Sequence, residues 1–235
     1  AGIISLMSRK EPVAVLTIAI SSRALFDLED SHALFEREGI EPYSEYQRTH
    51  EDDVLEPGIA FSLVRKLLAL NVAAPPDAPR VEVILLSRNS ADTGLRIFNS
   101  IQHHRLPISR ATFTSGEPTW PYIRPFGAQL FLSANPESVR QALANGVAAA
   151  TILPDRAKPG TRASEQIRIA FDGDAVIFGD EGERVSREGG IDAFHRHEIE
   201  NAREPLSGGP FRAFLSALHD LQAAFPVGEA SPIRT

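Results

Sequence analysis

The 235-residue sequence has no cysteine, which excludes disulfides, thiolate nucleophiles and cysteine-based metal sites. It has one methionine, Met7, and one tryptophan, Trp120. Apolar runs such as VEVILL and AAATIL fall far short of the roughly 20 residues needed by a membrane-spanning helix, so no membrane partner is expected. The absence of cysteine suits the cytoplasm. The opening AGIISLMSRKEP places its apolar patch before its basic residues, the reverse of a secretory signal, and residues 1–12 are expected to form an N-terminal extension. Basic charge is also scarce: 24 Lys and Arg against 31 Asp and Glu give a formal net charge of −7. That balance excludes a broad surface for duplex nucleic acid. A small anionic substrate stays compatible, because a bound cation and backbone N–H groups reverse the field inside one pocket. The absence of GxxxxGK[ST] argues against a P-loop kinase.

The remaining composition, 43% apolar and 23% charged, is that of a folded globular protein. Short apolar runs alternate with helix-period segments. LTIAI (16–20) is followed by a helical region near 60–71, VEVILL (81–86) by a helix near 92–103, and then come ATF (111–113), LFL (130–132), a helix near 136–145 and AAATIL (148–153). The alternation predicts an α/β fold, a Rossmann-like parallel sheet with helices on both faces. Pro136 suits a first helical position and Gly146 the residue past the helix end. One α/β domain is expected over 13–153. A linker containing PDRAKPGTRAS follows over 154–166, and a second domain begins at 167.

Open parallel sheets bind ligands at the carboxyl ends of their strands. The residues there are small and polar: Ser21-Ser22, Ser87-Arg88-Asn89, Thr114-Ser115-Gly116 and Ser133-Ala134-Asn135. Such residues also begin turns and cap helices without any further role. Sliding the chain on itself places Ile18–Ala24 over Ile169–Ala175, a shift of 172 − 21 = 151. The same shift superposes Ile40 on Ile191, Tyr43 on Phe194, Gly58 on Gly209, Val64 on Leu215 and Leu67 on Leu218. A tandem duplication is the expectation, with the second copy incomplete because Ser231–Thr235 fall where the first copy begins VEVILL.

The segment IRIAFDGDAVIF ends an apolar strand in Asp172 and Asp174, separated by a glycine. On extended backbone, residues two apart share a face, so both carboxylates point into one site. Two carboxylates held so close repel unless a cation or a shared proton relieves them. Mg²⁺ suits the pair, since it prefers oxygen ligands and keeps positions open for water and phosphate.

This pattern resembles the first motif of the haloacid-dehalogenase-like phosphatases. The segments ISSRALFDLED, SRNSADTGLRIFNSI, LFLSANPESVRQAL, GVAAATIL, FDGDAVIFGDE and GPFRAFLSALHDLQ resemble the cytosolic type I 5'-nucleotidase family, from about Val13 to Thr235. The resemblance implies hydrolysis of AMP-like nucleoside 5'-monophosphates to nucleoside and phosphate with Mg²⁺. It makes Asp172 the nucleophile, which forms an aspartyl-phosphate, and Asp174 the general acid and base, with both as metal ligands. The further phosphatase motifs, a strand-end Ser or Thr, a Lys and an acidic pair, are expected past Thr235 in the second copy. In the first copy Ser21-Ser22-Arg23 stands in place of the two aspartates and Ser133-Ala134 in place of the acidic pair, as in a degenerate domain. Ser87, Arg88 and Asn89 remain candidates for substrate or anion contacts at a helix N-terminus.

Residues 179–209 are expected to form a small cap, where Asp180 and Glu181 either reach the metal through water or simply open a helix. His195 and His197, two apart on a helix, point in different directions and are expected at the surface. His103-His104 are expected to end a helix, and Trp120 and Tyr122 to pack a proline-bracketed loop rather than stack on a base. Two rivals to a nucleotidase follow from the missing motifs and the generic phosphatase pattern: a non-catalytic nucleotide-binding or interaction fragment, and a sugar-phosphate phosphatase. A second copy lacking sheet partners also suggests a homo-oligomer.

Overall fold

The computed structural model describes residues 15–72, 74–91, 93–153, 165–172, 176–177, 179, 181–203, 209–228 and 230–235. The expected extension 1–12, Asp174, Asp180 and most of the expected linker lie outside these residues, as does the side chain of Glu181.

The main sheet consists of β1 (Leu16–Ser21), β2 (Val81–Ser87), β3 (Ala111–Phe113), β4 (Leu130–Ser133) and β5 (Ala149–Thr151), all parallel, in the order β3-β2-β1-β4-β5. This is the Rossmann-like α/β arrangement expected from the alternating pattern. The helices between the strands are α1 (Ser22–Leu25), α2 (Glu29–Glu38), α3 (Ile40–Thr49) and α4 (Phe61–Ala69), then α5 (Leu95–His103) and α6 (Pro136–Ala144). Pro136 opens α6, the Asn135 side chain accepts from Ser138 N–H as its cap, and Gly146 follows with φ +68°.

Alternation along each strand feeds two separate cores. Leu16, Ile18 and Ile20 of β1, with Val83 and Leu85 of β2, pack on one face against α4 and α5. Ala19, Ile84, Leu86 and Phe131 face the other way, against α6 and Ile123. A central parallel strand buried on both faces is what a nearly continuous apolar run encodes.

A second, smaller parallel pair joins β6 (Ile167–Arg168) to β7 (Ile233–Arg234). Between them lie α7 (Glu181–Glu200), kinked at Gly190, and α8 (Arg212–Ala223). Phe214, Ala217, Leu218 and Leu221 of α8, with Ile167 and Ile233, belong to the same apolar core as β1. Arg80 also lies over the Phe225 ring, 4.9 Å from its centroid. In the expected cap region 179–209, the described part is the kinked α7.

α1 is held by a close approach of backbone to backbone. Gly58 N–H donates to Leu25 O (2.9 Å) and Ala60 N–H to Ala24 O (2.8 Å). A Cβ on Gly58 would sit 2.8 Å from Ala24 O and from the backbone of Phe26. His104 ties the same region together, its Nε2 2.9 Å from Leu55 O and its ring stacked on Phe26.

Gly58→Ala is therefore expected to destabilise the protein by about 1–3 kcal/mol, because backbone rather than a flexible side chain must give way; urea denaturation measures this, and an unchanged midpoint would remove the close-approach account. Leu221 is fully buried. Leu221→Ala should cost about 2–5 kcal/mol in the same experiment, whereas a loss under about 1 kcal/mol would mean that α8 contributes little to the shared core.

Candidate functional site

In a sheet ordered β3-β2-β1-β4-β5, the chain winds outward from β1 to β3 and then returns to the other side of β1. The crevice at the carboxyl ends of β1 and β4 is the switch point where open α/β sheets take ligands. A cleft of about 260 Å³ lies there. All four polar strand-end turns contribute to it, through Ser21 and Ser22, Arg88 and Asn89, Ser115 and Gly116, and Ser133 and Asn135. The opposite wall comes from α2 and α3, where His32, Phe35, Ile40 and Tyr43 supply mainly apolar and aromatic surface. His32 stacks on Phe35, and Phe35 meets Tyr43 edge-on with centroids 5.9 Å apart.

The floor is built from hydroxyls and amides. Ser22 Oγ and Ser87 Oγ are 3.0 Å apart and buried, and Ser87 Oγ also accepts from Asn89 N–H at 3.2 Å. Ser87 is thus completely enclosed and acts from behind the cleft lining. Arg88 donates twice to Gly116 O, through Nε (2.9 Å) and Nη2 (2.6 Å), which draws the turn after β3 toward the turn after β2. That turn places Ser115 at φ +50°, uncommon for a residue other than glycine. Arg23 pairs with Glu29 through Nη2 at 2.9 Å, while its buried Nε has no hydrogen-bond partner. Asn89 Nδ2 is likewise buried without a partner at hydrogen-bonding geometry, although its side chain lies beside the Tyr43 hydroxyl. Burial raises the Tyr43 pKa, opposed by hydrogen bonding to Gln47, Thr93 and Asn89 and by the Arg96 charge, so the phenol is neutral at physiological pH.

The other candidate site lies in the second half. Ile169 N–H donates to Arg234 O at 2.9 Å, extending the β6–β7 pairing toward Phe171, and Phe171 packs on Phe214 with centroids 6.1 Å apart. Asp172 follows, exposed and four residues past the end of β6. Asp174 lies outside the described residues. Among the described residues, no group of three His, Asp or Glu is arranged to hold a metal ion. Those lining the cleft belong to the stretch from Ser21 to Ser138, and Asp172 is not one of them. His195 is exposed, and His197 is half-buried with Nδ1 3.6 Å from Glu198. Trp120 packs against the core around Ile123 and Phe131, in a short 3-10 turn that includes Tyr122.

The contribution of α2 and α3 to the cleft is absent from the sequence-based reading. The signal available for it was the match of Ile40 to Ile191 and of Tyr43 to Phe194, which marked apolar positions in a segment not otherwise expected to be helical.

Residues 8–235 match the family model described as 5'-nucleotidase. The chain is 37% identical over 219 residues to human cytosolic 5'-nucleotidase 1B, an alignment covering 92% of this chain and 36% of that protein. It thus spans about a third of the length of that relative. No solved structure matches. Among the described residues, no helix is long and apolar enough to cross a membrane. With the family model covering nearly all of the chain, the chain belongs to the 5'-nucleotidase family.

Proposed function

We propose that the natural protein is a cytoplasmic, Mg²⁺-dependent 5'-nucleotidase acting on AMP-like nucleoside monophosphates, with its chemistry at Asp172 and Asp174. The observation that carries this reading is the exposed Asp172, four residues past β6 and within FDGDAVIF, in a chain of the 5'-nucleotidase family. The donors suit Mg²⁺ in kind, being carboxylate oxygens without sulfur or imidazole. Bound there, the ion would neutralise phosphoryl charge. An Asp172 carboxylate oxygen attacks phosphorus as the bond to the ribose 5'-oxygen breaks, and Asp174 gives that oxygen its proton. Asp174 then takes a proton from the water that cleaves the aspartyl-phosphate, which releases phosphate and restores both side chains.

Duplication of a haloacid-dehalogenase-like unit is the second part of the proposal, and several local features support it. Displaced by 151 residues, the start of α4 at Phe61 falls on the start of α8 at Arg212. Each helix opens with the same turn, Phe61 N–H to Gly58 O and Arg212 N–H to Gly209 O, both 3.1 Å. Gly39, between α2 and α3, has φ 87° and ψ −165°; Gly190, at the kink of α7, has φ 75° and ψ −176°. The parallel pairs correspond too: Leu16 faces Val81, and Ile167 faces Ile233, one residue beyond the shifted position. On this reading α7 is the second copy's counterpart of α2 and α3, the small cap over Asp172.

In a form that turns over AMP, Asp172→Asn is expected to lower phosphate release on the order of a thousandfold or more, as for other nucleophile replacements; a variant retaining a tenth of the activity would rule out covalent catalysis at this position. Nothing lies within 4 Å of a Cβ at Gly39 or Gly190, so replacement by Ala is opposed by the backbone alone. Gly39→Ala and Gly190→Ala should each cost about 1–3 kcal/mol in chemical denaturation, and a neutral Gly190→Ala beside a costly Gly39→Ala would argue against a shared backbone role.

A further inference from the structure

The cleft of the first half presents a specific chemical profile. Of the buried nitrogens in its lining, Arg23 Nε has no acceptor, and Asn89 Nδ2 lies beside the Tyr43 hydroxyl without reaching hydrogen-bonding geometry. A buried donor left unpaired keeps its desolvation cost, which a ligand oxygen would offset. Of the two lining guanidiniums, Arg23 is paired with Glu29 and Arg88 donates, among the described residues, only to the Gly116 carbonyl, and no described lining residue is a carboxylate, although the chain as a whole carries a net charge of −7. Arg88 thus gives the cleft a local positive charge that suits an anion. Opposite these donors, Phe35 is 43% exposed and Ile40 61% exposed, and they border the aromatic group formed with His32 and Tyr43. Large apolar side chains open to solvent at a concave site are the usual wall for a planar ring.

We propose that this cleft is a second binding site of the protein, which takes a nucleoside monophosphate without metal and without hydrolysing it. The phosphate lies toward Arg23 and Asn89, and the base lies against Phe35 and Tyr43. The described lining offers no carboxylate to attack phosphorus or hold Mg²⁺. The Ser22 and Ser87 hydroxyls are engaged with each other rather than with a general base. The cavity, about 260 Å³, falls just below the roughly 300 Å³ at which ligand sites ordinarily begin, so it suits a mononucleotide better than a dinucleotide. The choice of a nucleoside monophosphate among aromatic anions rests on the nucleotidase reading, whereas the anion and ring subsites stand on the geometry alone.

Isothermal titration calorimetry of the 235-residue chain with AMP in EDTA tests the proposal, with adenosine and inorganic phosphate as separate probes. Saturable AMP binding is expected, tighter than either probe alone. Asp172→Asn should leave the affinity within about twofold, while Phe35→Ala and Arg23→Ala should each weaken it at least about tenfold, or 1.4 kcal/mol. Phe35 is exposed enough that its replacement leaves the core intact, so thermal melting of that variant provides the folding control. Absence of saturable binding at millimolar AMP would overturn the proposal. So would loss of binding in Asp172→Asn, wild-type affinity in both cleft variants, or inorganic phosphate binding as tightly as AMP. Binding that persists in EDTA while no form of the protein turns over AMP would remove the nucleotidase reading and leave the cleft assignment standing.

Discussion

β1 is bounded on every side: β2 and β4 take its two edges and an apolar core covers each face. Its backbone hydrogen-bonding groups are used by its neighbours, and its side chains are committed alternately to the two cores. The chain can continue only from the carboxyl end, where Ser21 and Ser22 turn into α1. Every feature of the first-half cleft depends on that turn, because α1, the Gly58 loop and the hairpin of α2 and α3 are placed from it. A substitution that shifted β1 would move the cleft floor and wall together.

Much of this was legible in the sequence, and the reasons are specific. Apolar runs bracketed by small polar residues located β1 to β5 to within a residue or two, most plainly in β1, β2 and β4, where burial on both faces demands a nearly continuous apolar run. Pro136, Asn135 and Gly146 marked α6 through local backbone chemistry alone. The α2–α3 hairpin was not legible. Apart from Ser31 and Gln47 its residues are at least partly exposed, so no wide apolar stripe announces it. The cleft depended on that missed hairpin: the strand-end turns pointed to a ligand face, but the wall that makes it a cavity comes from residues whose helical state the pattern did not reveal.

Positions related by the 151-residue sequence shift carry contrasting side chains. After β6 stands an exposed carboxylate, Asp172. After β1, at the position related by the 151-residue shift, stands Ser21, and the next hydroxyl, Ser22, is neutralised against Ser87. Paired carboxylates demand a counter-ion, whereas paired hydroxyls satisfy one another and carry no charge that needs one.

The shared core beneath α8 has a further consequence. Leu218 and Leu221 are buried in the same cluster as Ile18 and Leu85, so the second half has no separate interior among the described residues. Two units with distinct cores melt in separate steps, but units joined through one core lose their packing together. Heat or denaturant applied to this chain should therefore find one cooperative body, in which loosening near Asp172 is felt at the central strand of the first sheet.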